Sequence, residues 1–313
     1  MGILVIGGSN VDICGRSEKA LVPHDSNPGF VSLSTGGVGH NIAMNLAHLG
    51  EDVTFLTAIG DDEYGSILQD EMARTMNLRT FIPPFPGRKS GVYLYVNDQK
   101  GDLKDAVNDM SINDLLTPHI LSPYISLMQD ADLVVAEANL PSDTLSFIAS
   151  HASRLVVDPV STIKMKRIDG IWPSIEIFKP NRKEAEILSG VQITDEASLQ
   201  KACGKMLDLG LSTIVVSLES DGAALARKDC FLRLSNPQDV KVVSTTGAGD
   251  AFVAGFCYGM LFERGDGFSL ACALTSASIA LGTEETVPSI LSAPLLIAKV
   301  ADTYEGVINE PLS

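Results

Sequence analysis

Cysteine is scarce. The chain has five among 313 residues (Cys14, Cys203, Cys230, Cys257 and Cys272), widely spaced and never as CxxC. That spacing excludes a disulfide framework or a cysteine zinc site and suggests reduced thiols in a cytoplasmic protein. Basic residues are outnumbered, 23 against 39 acidic, for a net charge of −16. The deficit argues against a nucleic-acid or anionic-membrane partner. It leaves room for a phosphate ligand, because a local nest of amides with a metal ion outweighs the mean field. No apolar run approaches the ~20 residues that span a bilayer. No basic-then-apolar leader opens the sequence, and Ile6 stands where a myristoylation signal carries Ser or Thr. After the first apolar run the chain reads Gly7-Gly8-Ser9-Asn10-Val11-Asp12. This does not supply GxGxxG, which disfavours a dehydrogenase. Internal repeats and low-complexity segments are also missing.

What is present is hydrophobic material for a core, 45% of residues, in a length that suits one large α/β domain. The pivotal stretch is Ser244-Thr245-Thr246-Gly247-Ala248-Gly249-Asp250-Ala251-Phe252. Its glycines, the following acid and the proline-free apolar run behind them predict a tight turn feeding a helix over 250–263. Unpaired amides and the helix dipole make such a start a phosphate site. Two readings of Asp250 fit. It complements the dipole, or it accepts the proton of a hydroxyl attacking a phosphoryl group.

In chain order, Ile3–Ile6 reads as a buried parallel strand. Asn10 and Asp12 follow it, either meeting ligand hydroxyls at a strand end or forming an Asx turn. Gly36-Gly37-Val38-Gly39-His40-Asn41 opens a helix over 40–49, with Gly50 beyond its end. This turn offers amides and Asn41 to a ligand, and His40 either touches ligand or faces solvent. A strand at 53–59 and a helix at 62–76, with Asp61 and Asp62 as cap candidates, come next. Segments 13–35, 90–97 and 102–107 make a small sheet outside the main order. Asn108 and Asp109 then either read a polar ligand edge or form a turn before a helix cap at Ser111.

From 113 the chain alternates: helix 113–129, strand 132–136, helix 142–151, strand 154–157, strand 175–178, helix 182–189, strand 213–217. This rhythm predicts a mostly parallel sheet with helices on both faces. Asn181 and Glu184 open helix 182–189, either as cap and first-turn acid or as a Mg²⁺ site with Glu184 as ligand. Short strands at 223–227 and 230–234 precede the pivotal turn, and a helix at 268–281 follows it. Small residues in that last region (Ala273, Ser276, Ala277, Ser278, Gly282) admit an adenine ring or simply allow close packing.

The G-A-G-D-A-F turn, the G-G-x-x-x-N spacing at 36–41 and K-P-N-x-x-E at 179–184 together resemble the ribokinase-like (PfkB-type) sugar and nucleoside kinases. The resemblance covers essentially the whole chain and implies one kinase domain over 1–313. Its lid, formed by about 13–35 and 88–110, closes over substrate and often makes a homodimer contact. It implies Gly247, Ala248 and Gly249 as an anion hole and Asp250 as catalytic base. It implies a substrate site with Asn10, Asp12, Gly36, Gly37, Gly39 and Asn41. ATP and Mg²⁺ are implied on Asn181, Glu184, Ser217, Glu219, Gly222, Gly247 and Gly249. Many members carry Asp where Ser244 stands, which counts against a K⁺ site, and often Gly where Glu219 stands. Four details, D-S-N-P-G at 25–29, G-G-V-G-x-N at 36–41, V-N-D-M at 107–110 and D-P-V-S-x-x-K at 158–164, are similar to the branch of the family acting on pseudouridine. That branch implies Asn108, Asp109 or Asn139 as readers of the base and Lys164 as a further polar contact. Ribose or another nucleoside is the alternative substrate, and a non-catalytic ligand sensor the alternative class.

Overall fold

The computed structural model describes residues 2–238 and 240–304. Among the described residues thirteen strands form two sheets. β1 (Ile3–Ile6), β2 (Asn10–Ser17), β3 (Gly29–Gly36), β4 (Val53–Leu56), β5 (Leu78–Thr80), β6 (Gly91–Asn97) and β7 (Leu103–Asp109) lie in the first third. β8 (Leu133–Glu137), β9 (Leu155–Asp158), β10 (Ile177–Phe178), β11 (Thr213–Ser217), β12 (Ala223–Arg227) and β13 (Cys230–Leu234) follow. The large sheet runs β13-β12-β11-β10-β9-β8-β1-β4-β5, and the small one β3-β2-β6-β7. From β11 to β5 every pairing in the large sheet is parallel; β12 and β13 add an antiparallel edge.

β1 shows why the apolar runs become central strands. Its side chains alternate between faces. Ile3 and Val5 join a core with helices Val38–His48, Ala248–Leu261 and Asp266–Leu281, while Leu4 and Ile6 join a second core on the opposite face. Helices therefore cover both faces, as expected. Helices Glu196–Leu207 and Ala293–Thr303 are additions to the sequence expectation. Helix 142–151 is found as expected, but the one expected at 113–129 is broken. Pro118 and Pro123 restart the chain there, giving the short pieces Pro118–Leu121 and Ile125–Asp130 between 3₁₀ turns. Of the two cap candidates only Asp62 caps its helix, accepting from the Gly65 amide at 2.8 Å; Asp61 accepts from Gly87 instead.

The small sheet begins earlier than expected. Asn10 and Asp12 are not in a loop past β1 but are the first residues of β2, paired with Gly36 and Ser34 of β3. Pairing then sets the faces. Asp12 aligns with Tyr93, and Tyr93 with Asn108, so one face carries polar groups. The other carries Leu33, Ile13, Leu94 and Val107 as an apolar row across all four strands. No helix among the described residues is long and apolar enough to cross a membrane.

Candidate active site

The carboxyl ends of β1, β8, β9 and β10 deliver polar residues to one crevice. In an open α/β sheet these ends face the ligand. Gly7-Gly8 leaves β1 under tight confinement: a Cβ on Gly8 would lie 2.7 Å from the Asn113 amide nitrogen, and one on Gly39 2.7 Å from the Gly7 Cα. The Val38–His48 helix thus rests directly on this turn, with the His40 amide donating to the Gly8 carbonyl at 3.1 Å. Gly37, at φ 104°, is its N-cap. Gly39 serves this close approach. Gly36 lies against the Asp12 carboxylate, where a Cβ would come within 2.7 Å of Oδ2.

The pivotal turn forms as the sequence predicts, two residues earlier in helix register. Gly247 caps the Ala248–Leu261 helix at φ 78°, with no side chain bonding its first-turn amides. These amides are left for an anion. The Asp250 carboxylate accepts a 2.7 Å bond from the Asn41 amide, joining residues 209 positions apart. Asp250 is half-buried. Burial pushes its carboxyl up to about 7; Asn41 and Lys179 oppose that, while Asp158 and Glu137 add to it.

Lys179, Asp158 and Glu137 received no role from the sequence, yet they build the floor of the site. Lys179, just past β10, is buried, donates to Asp158 at 3.2 Å, and would sit 3.5 Å from a Cβ on Gly249. Burial pushes its ammonium down, but Asp158, Glu184 and Asp250 outweigh that and leave it above its ordinary value. Glu137 ends β8 and accepts from the Gly8 and Asn139 amides, each at 2.7 Å. Burial brings its carboxyl up to about 7. Each of these residues is the first polar group closing an apolar run, a signal that was readable.

The Asn181 pair resolves toward capping. Asn181 accepts from the Glu184 amide at 2.9 Å and Glu184 from the Asn181 amide at 2.8 Å, a reciprocal capping box. Glu184 is buried, which raises its carboxyl, and lies near Asp158 and Lys179. Among the described residues no group of three or more His, Cys, Asp or Glu is arranged to hold a metal ion by itself. The oxygen-rich set of Glu184 and Asp158, tempered by one ammonium, fits Mg²⁺ that keeps its waters.

A cavity of about 560 Å³ adjoins the Gly247 turn, lined by Ser217, Glu219, Gly222, Ala248 and Gly249 among others. The small residues divide: Ala277 and Ser278 line this cavity, whereas Ser276 packs against Gly255. Asn181 and Glu184 are not on its wall, though Asn181 bridges to Ser217.

One expectation needs correction, and the structure places three further candidates. His40 neither touches a ligand nor faces solvent; it is fully buried and paired with Glu71 at 3.1 Å. Asn108 and Asp109 are successive residues of β7 and cannot share a face. Asn108 lies in the Asp12 row, while the exposed Asp109 accepts from the Ser111 amide at 3.0 Å and hydroxyl at 2.7 Å. Asn139 Oδ1 accepts from Lys164, and the Asn139 main-chain carbonyl accepts from Arg167 at 2.6 Å.

A mostly parallel sheet covered on both faces, a separate smaller sheet, and a helix started by a glycine turn beside a carboxylate are the features of the ribokinase-like fold. Residues 2–293 match the model of the pfkB family of carbohydrate kinases, and the chain belongs to that family. It is 34% identical over 307 residues to a pseudouridine kinase of Escherichia coli K12, spanning 95% of this chain and 96% of that protein. A putative sugar kinase structure from Clostridium perfringens superposes with a TM-score of 0.83 at 29% identity, covering 96% and 95% of the two chains. The Arabidopsis thaliana ribokinase solved with ribose and ATP shares the fold, with a TM-score of 0.82, 20% identity and 95% and 98% coverage.

Proposed function

We propose that the protein transfers the γ-phosphoryl group of ATP to the 5′-hydroxyl of a nucleoside, with pseudouridine as substrate. The observation that carries this is Asp250, held by Asn41 at 2.7 Å beside a helix start whose amides no side chain caps. In the reaction the 5′-oxygen bonds to the γ-phosphorus, the bond from that phosphorus to the β,γ-bridging oxygen breaks, and the hydroxyl proton passes to Asp250. The products are the nucleoside 5′-phosphate and ADP. Gly247, Ala248 and Gly249 offer amides to the charge on the moving group, and Lys179 lies beneath them as a fixed cation. Mg²⁺ supplies neutralisation of the phosphate charge; Glu184 and Asp158 would hold it through its waters.

Asp12, Gly37 and Asn41 are the proposed ribose contacts. Asn108, in the Asp12–Tyr93 row, is favoured over Asp109 as the reader of the base. Asn139 and Lys164 form a second polar pair at the β8 end. The 34% identity to a pseudouridine kinase supports this substrate. An extra ring N–H left unpaired in a buried site discriminates strongly between nucleosides. Ser244 lacks the carboxylate expected near a monovalent cation, and its hydroxyl accepts from the Thr246 amide at 3.2 Å, so K⁺ dependence is not favoured. A lid dimer is supported by the exposed apolar row; Leu94 and Leu33 are each 46% exposed and Val107 70%.

ADP release by purified protein, with ATP and Mg²⁺ against pseudouridine, uridine, guanosine and ribose, tests the assignment. Pseudouridine should give the highest kcat/KM. Ribose outcompeting it would transfer the protein to the ribokinases, and no ADP release with any alcohol would favour a ligand sensor.

A further inference from the structure

We infer that the pair formed by buried His40 and half-exposed Glu71 is a positioning element for Asp250 and acts on it through Asn41; this rests on the kinase reading above. The contacts form one line. Glu71 Oε2 lies 3.1 Å from His40 Nε2, His40 Nδ1 lies 3.3 Å from Asn41 Oδ1, and Asn41 Nδ2 donates to Asp250 Oδ2 at 2.7 Å. His40 has no exposed surface and Asn41 5%.

The polarity of this line follows from its two ends. An ionised Asp250 only accepts, so the Asn41 amide must present its NH₂ there, which leaves its carbonyl oxygen toward His40. Glu71 also only accepts. The ring therefore stands between two acceptors and makes both bonds only with a proton on each nitrogen. Glu71 supplies the negative partner that such a ring needs in a buried position. It is itself held by Thr35, with His48 nearby. Phe55 packs edge-on to the ring, with centroids 6.5 Å apart, and fixes its plane. If the ring lost one proton, Asn41 would face a lone pair with its oxygen. Turning the amide over would then aim that oxygen at the Asp250 carboxylate. Either outcome loosens the base. The lid is also tied in, because Thr35 belongs to β3 and pairs with Val11 of β2, next to Asp12.

The alternative is a core histidine satisfied by a carboxylate with no effect on Asp250. Steady-state kinetics of full-length wild type, E71Q and E71D, with Tm as a fold control, separate the two. ¹⁵N spectra of the ring nitrogens at pH 7, with H40Q to identify the His40 signals, give a readout independent of turnover. We expect wild-type His40 to carry two ring protons and E71Q one. In E71Q kcat should fall about 10-fold or more, in line with small misplacements of a reacting group, while KM for ATP stays within about 2-fold. Its kcat/KM profile should also lose activity on the acid side, because a loosened Asn41 no longer opposes the burial that raises the Asp250 carboxyl; Asp158, Lys179 and Glu137 are the other charges that face it. E71D, the larger geometric change, should retain more activity than E71Q because it keeps the charge. A single ring proton on wild-type His40, or wild-type kcat in E71Q, overturns the inference. No turnover by wild type would instead sink the kinase reading, with the ring spectra still deciding the hydrogen-bond line.

Discussion

In the proposed mechanism Asp250 concentrates the chemistry, and its environment sets a pH signature. Its carboxyl is raised to about 7 by burial foremost, and a base works only when ionised. Activity should therefore climb as pH rises through about 7. Stability should run the other way. The unfolded carboxyl ionises near 3.8, so between that value and about 7 the folded state holds a proton the unfolded state has released. Stability then falls as pH rises across that window. D250N removes both effects: kcat should drop on the order of 10² to 10⁴, while Tm rises relative to wild type at pH 8 more than at pH 5. Paired rate and melting curves at the two pH values check this, and near-normal turnover of D250N would refute the base role. Asp250 itself was legible in the sequence through the glycines before it. Its partner Asn41 was legible only as a ligand residue, since nothing local links positions 41 and 250.

At the scale of elements, the two helix starts to which the proposed mechanism assigns the phosphate chemistry differ in how they are built. The Ala248–Leu261 helix begins at Gly247, which is in the left-handed region and lies against the 286 carbonyl, 2.0 Å from where a Cβ would stand. G247A should cost roughly 1–3 kcal/mol from backbone conformation alone, more with the clash, and lose most activity; urea unfolding and kcat measure the two. The Arg182–Ser189 helix begins instead with the Asn181–Glu184 capping box. E184Q keeps the box's acceptor oxygen but loses the charge. The expected result is a several-fold higher Mg²⁺ requirement, with KM for the nucleoside unchanged, read from Mg²⁺ titrations of the initial rate. An unchanged Mg²⁺ curve would leave Glu184 with its capping role alone. Both starts were readable because glycine and Asn-x-x-Glu are local signals. The segment after Leu116 departs from the single expected helix because Pro118 and Pro123 each restart the chain and override its apolar pattern.

Across the whole molecule, the small sheet has one polar and one apolar face. Asp12, Tyr93 and Asn108 lie on one side, and the apolar row of Leu33, Ile13, Leu94 and Val107 on the other. Partial exposure of that row fits a second copy of the chain. L94K, on the face opposite Asp12, should halve the sedimenting mass and lower the apparent nucleoside affinity several-fold if the lid is ordered by pairing. A wild-type chain sedimenting as a monomer would remove the dimer from the account. The sequence by itself determined the parallel sheet, the existence of the second sheet and the glycine turn with its acid. Those features are written in apolar runs, glycines and strand-end polar residues that act on their own neighbours. Only the tertiary structure decided that His40 is buried against Glu71, that Asn108 and Asp109 part ways, and that Glu137, Asp158 and Lys179 gather under Asp250. The physical reason is that burial, strand register and charge pairing depend on which distant segments meet, and the order of the parallel strands fixes those meetings.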